Sequence, residues 1–376
     1  MSGGERLDGA ELERLGIDPS APDAADTRRL AELLLDRGAS HEELVEALRA
    51  GGLGPLALEL ALRPPGETMP FPEAAARAGL DGGEAAGLWR ALGFPDPADG
   101  SVRLTPVEVD TLRTLAQMGE SVLGRDTTVQ LARVVGGVAA QLAEAVVDAF
   151  RVKFEMPRRR AGEPYSEVVE QNTEVASVMF PALAQAVTDV LRTHLIGVAR
   201  AAWALDEEQS TVTRQRTVGF ADLVGYTRST RDLSPAALAG AIGRFESHVA
   251  EVVTRSGGRV VKLIGDEAMF VVEDPLAGCE IALELASVLQ SDAELPSVSV
   301  GLAAGPVVAH HGDYYGDVVN LSARLVKAAG PDEVLVSAAV ARSVEDRIAL
   351  EPAELPELKG YEPGVPAFKL SAGRAG

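Results

Sequence analysis

Apolar residues in the first half of the chain recur three and four positions apart, which is the spacing of amphipathic helices. The stretches TRRLAELLLDRG and SHEELVEALRAG show this spacing, and each ends at a glycine. Ser40, followed by Glu43, predicts a capping box at the start of the second helix. Two longer helices are predicted over 128–154 and 166–204. Because the first is apolar on most sides, we expect partner helices or a second subunit to cover it; an apolar ligand between the helices, such as a fatty acid, is an alternative.

After Arg216 the pattern changes to short β-rich runs bounded by Gly, Asp and Pro: TVGFADLV, GGRVVKLIG, EAMFVVE, SVSVGLAAG and EVLVSAAV. Helices are predicted between them, over 234–255, 275–289 and 319–329. Strand, long helix and tight hairpin in this order predict an α+β sandwich with one exposed sheet face. We therefore expect an all-helical domain at 1–205, a polar linker at 206–216 and an α+β domain at 217–376.

The segment 69–118 has short helices separated by Gly and Pro, as in helix-turn-helix DNA-binding units. It carries no excess of Lys or Arg for phosphate contacts, and the whole chain has a formal net charge of −21. Such a chain repels nucleic acid and anionic lipid surfaces. We predict that the segment serves protein contacts and that the protein binds no nucleic acid.

No apolar run reaches the length of about 18 residues that a membrane span needs. The nearest, 131–150, is interrupted by Arg133 and Glu144. The N-terminus, MSGGERLDGAELERLG, lacks the apolar core of a signal peptide. These features predict a cytoplasmic protein without a membrane span. Cys279 is the single cysteine and lies on the apolar side of a helical pattern, so we expect a buried free thiol.

Two aspartates carry the candidate chemistry of the α+β domain. Asp222 closes the predicted strand TVGFAD, and Asp266 lies at the turn between VVKLIG and AMFVV, whose arms are too apolar to be surface. The helix between strand and hairpin allows both carboxylates to lie at one edge of the sheet. Converging carboxylates repel each other unless cations lie between them, and two Mg²⁺ or Mn²⁺ ions that also hold a triphosphate would explain the pair. Glu267 is predicted to be a solvated turn residue rather than a third ligand.

Three blocks together, FADLVGYT, KLIGDEAMF and GDYYGDVVNLSARL, resemble the signature blocks of class III adenylate cyclases in order and separation. The resemblance covers about residues 216 to 370. It implies a ferredoxin-like or palm-type sheet with helices. The N-terminal half is similar, less distinctively, to the helical regulatory domain of pH-responsive actinobacterial adenylate cyclases, which implies an autoinhibitory role.

The resemblance implies that Asp222 and Asp266 bind the two metal ions, and that Lys262 and Asp313 select the purine. An ammonium donates to adenine N1 and a carboxylate accepts from the adenine N6 amine. Guanine offers the opposite pattern at these two positions, and such a mismatch discriminates strongly. The expected activity is therefore the conversion of ATP into 3′,5′-cyclic AMP and pyrophosphate.

Asn320 and Arg324 are four residues apart in VNLSARL, hence on one face of a helix. The resemblance implies that they position the ribose and stabilise charge at the α-phosphate, and that Lys359 reaches the triphosphate. In this family one subunit provides the two metal-binding aspartates of a site. The other subunit provides the purine-selecting pair, the Asn and the Arg. A homodimer with two equivalent shared sites is expected.

Other functions remain open at this point. A catalytically degenerate cyclase domain that senses nucleotides or binds a partner is the main alternative, although the set of motif residues is intact. A diguanylate cyclase is disfavoured, because isoleucine replaces the first glycine of the GG[DE]EF pattern in IGDEAMF and because NLSAR belongs to the adenylate cyclase pattern.

Three histidines are candidate regulatory residues. His194 lies near the predicted linker, and His310 and His311 lie just before Asp313. Histidine is the side-chain type that gains a proton in the physiological pH range. The hypothesis is that the N-terminal domain restrains the catalytic domain and that mild acid releases it.

Overall fold

The computed structural model describes residues 7, 9–18, 20–97, 100, 102–203, 213–226 and 234–371. The chain forms two compact units, Met1–Trp203 and Ala204–Gly376. Most of the predicted linker at 206–216 lies outside the described residues, and its last four residues begin a strand.

The first unit is helical, with one short two-stranded ribbon. Its elements are α1 (Gly9–Leu15), α2 (Ala24–Asp36), α3 (His41–Ala50), α4 (Gly54–Leu62), β1 (Met69–Pro70), α5 (Phe71–Ala78), α6 (Gly82–Ala91), β2 (Arg103–Leu104), α7 (Pro106–Met118), α8 (Arg125–Phe150), α9 (Met156–Arg160) and α10 (Tyr165–Trp203). Turns of π-helix, Gly119–Leu123 and Arg151–Glu155, precede α8 and α9.

The predicted capping box at α3 is confirmed. The Ser40 hydroxyl accepts a hydrogen bond from the Glu43 N–H at 3.2 Å, and the Glu43 carboxylate accepts from the Ser40 N–H at 2.7 Å. The two bonds satisfy backbone donors that a helix start leaves unpaired. The apolar faces of α1 to α4 then share one core with the start of α10, including Leu30, Leu34 and Val169. A separate core holds α5, α6 and α7 around Phe71, Trp89 and Leu112, within the segment of helix-turn-helix character.

The two long helices leave much apolar surface uncovered. After Gly136, α8 has no buried residue, and between 177 and 200, all described, α10 has none either. Apolar side chains there are strongly exposed, for example Val138 at 61%, Val178 at 74% and Leu195 at 61%. By length and composition alone, 125–160 and 165–200 could each cross a membrane. The absence of a span stays a prediction.

The second unit is a mixed sheet with helices. Its elements are β3 (Thr213–Leu223), α11 (Pro235–Arg255), β4 (Arg259–Ile264), β5 (Glu267–Val272), α12 (Pro275–Ser291), β6 (Val298–His310), β7 (Asp313–Tyr315), α13 (Asp317–Ala328), β8 (Val334–Ser337), α14 (Ala338–Val344), β9 (Ala349–Ala353) and β10 (Ala367–Ser371). The sheet has eight strands in the order β4-β5-β3-β6-β8-β10-β9, with β7 paired to β6. Only the β6–β8 pairing is parallel among those described. The first four strands of this unit, β3 to β6, have the ferredoxin-like order β4-β5-β3-β6, as expected.

Helices cover both faces of this sheet unequally. The larger core packs α11, α12 and α14 against one face, around Phe245, Phe270 and Ile281. Cys279 lies in this core, fully buried and without a disulfide, as predicted. Burial raises the pKa of its thiol to about 12. The other face is not simply exposed, because α13 covers part of it and packs on Val218 and Phe220.

A close contact with the central strands positions α13. The buried Ser322 hydroxyl lies 2.9 Å from the carbonyl oxygen of Val218 and 2.8 Å from that of Gly301, within reach of a hydrogen bond to either. A Cβ on Gly301 would lie 2.6 Å from the Ser322 carbonyl oxygen, so only glycine allows this approach. The helix is therefore seated directly on β3 and β6.

Candidate active site

The two predicted metal-binding aspartates lie at the same end of the neighbouring strands β3 and β5. Asp222 is opposite Glu267 in the β3–β5 pairing, so both side chains leave the same face. Asp266 occupies the adjoining β4–β5 turn, where its carbonyl oxygen accepts a hydrogen bond from the Leu223 N–H at 3.1 Å. Burial raises the pKa of Glu267; the charge of Lys327 opposes this rise, and the carboxylates of Asp222 and Asp266 add to it. The three acids thus form one group, which we call the carboxylate cluster.

Two expectations about this hairpin are wrong. Glu267 is not a solvated turn residue: it is the first residue of β5, its side chain is 21% exposed, and it belongs to the cluster. The hairpin arms are not wholly buried, because Leu263 and Ile264 at the end of β4 are 38% and 57% exposed. Alternation along EAMFVV could have placed Glu267 on the face of Met269 and Val271.

A lysine that the sequence analysis did not single out reaches the cluster. Lys327, in the last turn of α13, places its Nζ 3.1 Å from Asp222 Oδ2 and 3.5 Å from Glu267 Oε2. Burial opposes its charge, but the hydrogen bond to Asp222 and the charge of Glu267 raise the pKa of Lys327 overall. Its position seven residues after Asn320, on the same helical face, was a signal in the sequence.

The predicted purine pair is in direct contact. Lys262 Nζ, from β4, lies 2.7 Å from Asp313 Oδ2 at the start of β7. The Asp313 carboxylate also accepts a hydrogen bond from the Tyr314 N–H at 2.8 Å. Burial works against ionisation of Asp313, but the Lys262 ammonium and the Tyr314 N–H together lower its pKa below the usual value. Asp313 is therefore held as a carboxylate, with 37% of the Lys262 side chain and 26% of the Asp313 side chain exposed.

The remaining candidates lie apart from these contacts. Asn320 and Arg324 are exposed on one face of α13, and Lys359 is exposed in the segment between β9 and β10. His310 ends β6, directly opposite Asp313, and its ring contacts that of His311 at 3.7 Å between centroids. His194 is exposed on α10, in the other unit.

The chemistry of the cluster suits a hard divalent cation, since its donors are carboxylate oxygens. The described residues contain no ready-made group of three or more His, Cys, Asp or Glu ligands with the spacing of a metal site. Asp222 and Asp266 would therefore provide part of a coordination shell. This is the usual arrangement for Mg²⁺, which is held by one or two carboxylates together with substrate phosphates and water.

Comparison with known proteins identifies the class. The family described as the adenylate and guanylate cyclase catalytic domain matches residues 208–370. An adenylate cyclase of Streptomyces coelicolor is 35% identical over 297 residues, which are 78% of this chain and 76% of that protein. The pH-sensitive adenylate cyclase MT1302 of Mycobacterium tuberculosis is 34% identical over 40% of this chain and 35% of its own length. The adenylyl cyclase CyaB from P. aeruginosa is 20% identical, with a TM-score of 0.41, over 44% of this chain and 98% of that chain.

The fold and the matched domain are those of a class III nucleotidyl cyclase. The identity to a relative along most of both chains adds that this chain belongs to the adenylate cyclase family.

Proposed function

We propose that this protein converts ATP into 3′,5′-cyclic AMP and pyrophosphate. The observation that carries the choice of ATP is the contact between Lys262 and Asp313. It holds an ammonium donor and a carboxylate acceptor side by side, which is the pattern that adenine N1 and N6 require. Guanine would place its N1–H donor against the Lys262 ammonium and its O6 acceptor against the Asp313 carboxylate. Polar groups left unpaired in this way greatly weaken nucleotide binding.

The polyphosphate end of the substrate would bind at the carboxylate cluster. Asp222 and Asp266 would hold two Mg²⁺ or Mn²⁺ ions, which when bound would activate the ribose 3′-hydroxyl and neutralise the triphosphate. Asn320 would orient the ribose, and the Arg324 guanidinium would stabilise charge that develops at the α-phosphate. Lys359 would contact the triphosphate as a point charge.

The active enzyme would be a homodimer with two shared sites. Asn320 and Arg324 are exposed, and among the described residues their side chains make no hydrogen bond or ion pair with Asp222, Asp266 or the purine pair, which supports their use in the site of a second subunit. The uncovered apolar surface of α8 and α10 supports the same proposal, since a second copy would bury it. An apolar ligand between these helices or a membrane could cover the same surface instead. Sedimentation with and without lipid vesicles distinguishes a second copy, an apolar ligand and a membrane.

The helical unit would regulate the catalytic unit, with mild acid as the activating signal. The similarity to a relative named as pH-sensitive supports this. The placement of His310 opposite Asp313 supports it too, because a proton gained there would lie next to the purine pair. His194 and His311 are the further candidates for the titrating groups.

Identification of the product tests the proposal. Purified protein incubated with ATP or GTP, and with Mg²⁺ or Mn²⁺, should yield cyclic AMP and little cyclic GMP. Asp222→Ala and Asp266→Ala should each abolish the product. Tight nucleotide binding without any cyclic product would favour the second candidate, a catalytically degenerate domain that senses nucleotides or binds a partner.

A further inference from the structure

The last turn of α13 delivers a positive charge into the carboxylate cluster. Lys327 contacts Asp222 at 3.1 Å and Glu267 at 3.5 Å, and these two acids lie opposite each other on neighbouring strands. Like charges in directly opposite positions destabilise a sheet. The ammonium of Lys327 offsets that repulsion, and among the described ion pairs it is the one lysine contact with the cluster.

The three side chains of this contact differ in exposure. Those of Asp222 and Glu267 are 19% and 21% exposed and leave paired positions of two hydrogen-bonded strands. The side chain of Lys327 is 51% exposed. A lysine on a flexible stem can leave such a position at small cost, because its ammonium is well hydrated outside. The structure therefore combines fixed anions with a displaceable cation.

We propose that Lys327 is a built-in counter-ion of the metal site. In the metal-free protein its ammonium neutralises Asp222 and Glu267, and it must leave Asp222 when a divalent ion binds that carboxylate. Lys327 thereby sets how much divalent metal the enzyme needs. The inference rests on the proposed function in one respect, namely that Asp222 is a metal ligand.

The geometry of α13 supports a role distinct from those of Asn320 and Arg324. The three residues share one face of the helix, but only Lys327 touches acids of its own chain among the contacts described. In the proposed dimer one helix would then serve two sites. Its first turns would supply Asn320 and Arg324 to the partner's site, and its last turn would adjust the metal affinity of its own site.

The test measures Mn²⁺ binding to the full-length protein without nucleotide. The free ion is quantified by electron paramagnetic resonance. Lys327→Gln removes the competing charge, so Mn²⁺ should bind about three- to tenfold more tightly than to wild type. Lys327→Arg keeps the charge and should stay near the wild-type affinity. A second readout is the melting temperature, which added Mn²⁺ should raise further in Lys327→Gln than in wild type.

A matched control is available within the same unit. Lys369 pairs with Glu333 at 3.2 Å and is 46% exposed, close to the values for Lys327, but it lies away from the cluster. Lys369→Gln should leave Mn²⁺ binding unchanged, which separates a local effect from a change in net charge. Unchanged or weaker Mn²⁺ binding by folded Lys327→Gln would overturn the inference and leave the metal site intact. Wild-type protein whose Mn²⁺ binding is insensitive to Asp222→Asn would instead overturn the metal site itself.

Discussion

Lys262 and Asp313 meet although three strands, β5, β3 and β6, separate their strands in the sheet. In a flat sheet β4 and β7 would be about 19 Å apart at about 4.8 Å per strand. The hairpin of β6 and β7 must therefore fold back over the face that carries Asp222. Arg259 of β4 holds it there: its guanidinium donates to the Gly312 carbonyl oxygen at 3.1 Å and lies 5.4 Å from the ring centre of Tyr314.

The purine pair gives the first prediction. Lys262→Glu combined with Asp313→Cys reverses or removes the groups that match adenine, so ATP turnover should fall by about two orders of magnitude or more, whether or not GTP turnover appears. Initial rates with both nucleotides at saturating Mn²⁺ measure this. Unchanged ATP kinetics in a folded double variant would exclude the proposed roles of both residues.

The shared sites give the second prediction. Asp222→Ala and Asn320→Ala should each be inactive, but a mixture of the two should regain activity, because one of the two sites in a heterodimer carries neither substitution. The measurement is cyclic AMP production after mixing, with heterodimers verified by differently tagged chains. Heterodimers without activity would place the whole site within one chain.

The close packing of α13 on the sheet gives the third prediction. Gly301→Ala adds a Cβ against the backbone of α13, so we expect a loss of about 2 kcal/mol or more in the free energy of unfolding, with activity reduced as the helix shifts. Gly243→Ala is the control. Gly243 lies in α11 with open space around its Cβ position, and alanine there should be neutral or stabilising. Denaturant unfolding of both variants measures the difference, and equal stabilities would contradict the packing described.

Local sequence patterns predicted the individual helices and strands better than the contacts between them. Short β-rich runs bounded by Gly, Asp and Pro indicated strands, and apolar residues three and four positions apart indicated helices, because these features act within a few residues. The run EVLVSAAV predicts a single strand, yet β8 ends at Ser337, whose hydroxyl accepts a hydrogen bond from the Val340 N–H at 3.5 Å and caps the start of α14. A serine within an apolar run is a cap that periodicity alone does not reveal.

Contacts between distant segments were less accessible from the sequence. The motif blocks brought attention to Asp222, Asp266, Lys262 and Asp313, but no local rule predicts that the β6–β7 hairpin folds back over the sheet. Lys327 was missed for the same reason. Its interaction with Asp222 depends on how α13 crosses β3, which the contact at Gly301 determines.

The last prediction concerns regulation by pH, in which Asp313 of the purine pair takes no part between pH 5.5 and 8. The pKa of Asp313 is depressed, so the stability that it contributes is present above its unfolded value of about 3.9 and is lost only as the pH falls through the lower folded value. Between pH 5.5 and 8 this carboxylate therefore stays ionised. A response to mild acid in that range needs other groups, and histidine is the side-chain type that titrates there.

We expect the cyclase activity of the full-length protein to rise as the pH falls from 8 to 5.5, and that of a chain beginning at Glu207 to be higher at pH 8 and less dependent on pH. The reason is that protonation would bias two packings of the helical and catalytic units that differ by a few kcal/mol. Rates are measured at saturating ATP and Mn²⁺, with His41→Ala as a control histidine in α3, distant in sequence from the candidates. His194→Ala or His311→Ala should flatten the full-length profile if that residue is the switch. Identical profiles for the full-length and shortened chains would show that the helical unit is not the sensor.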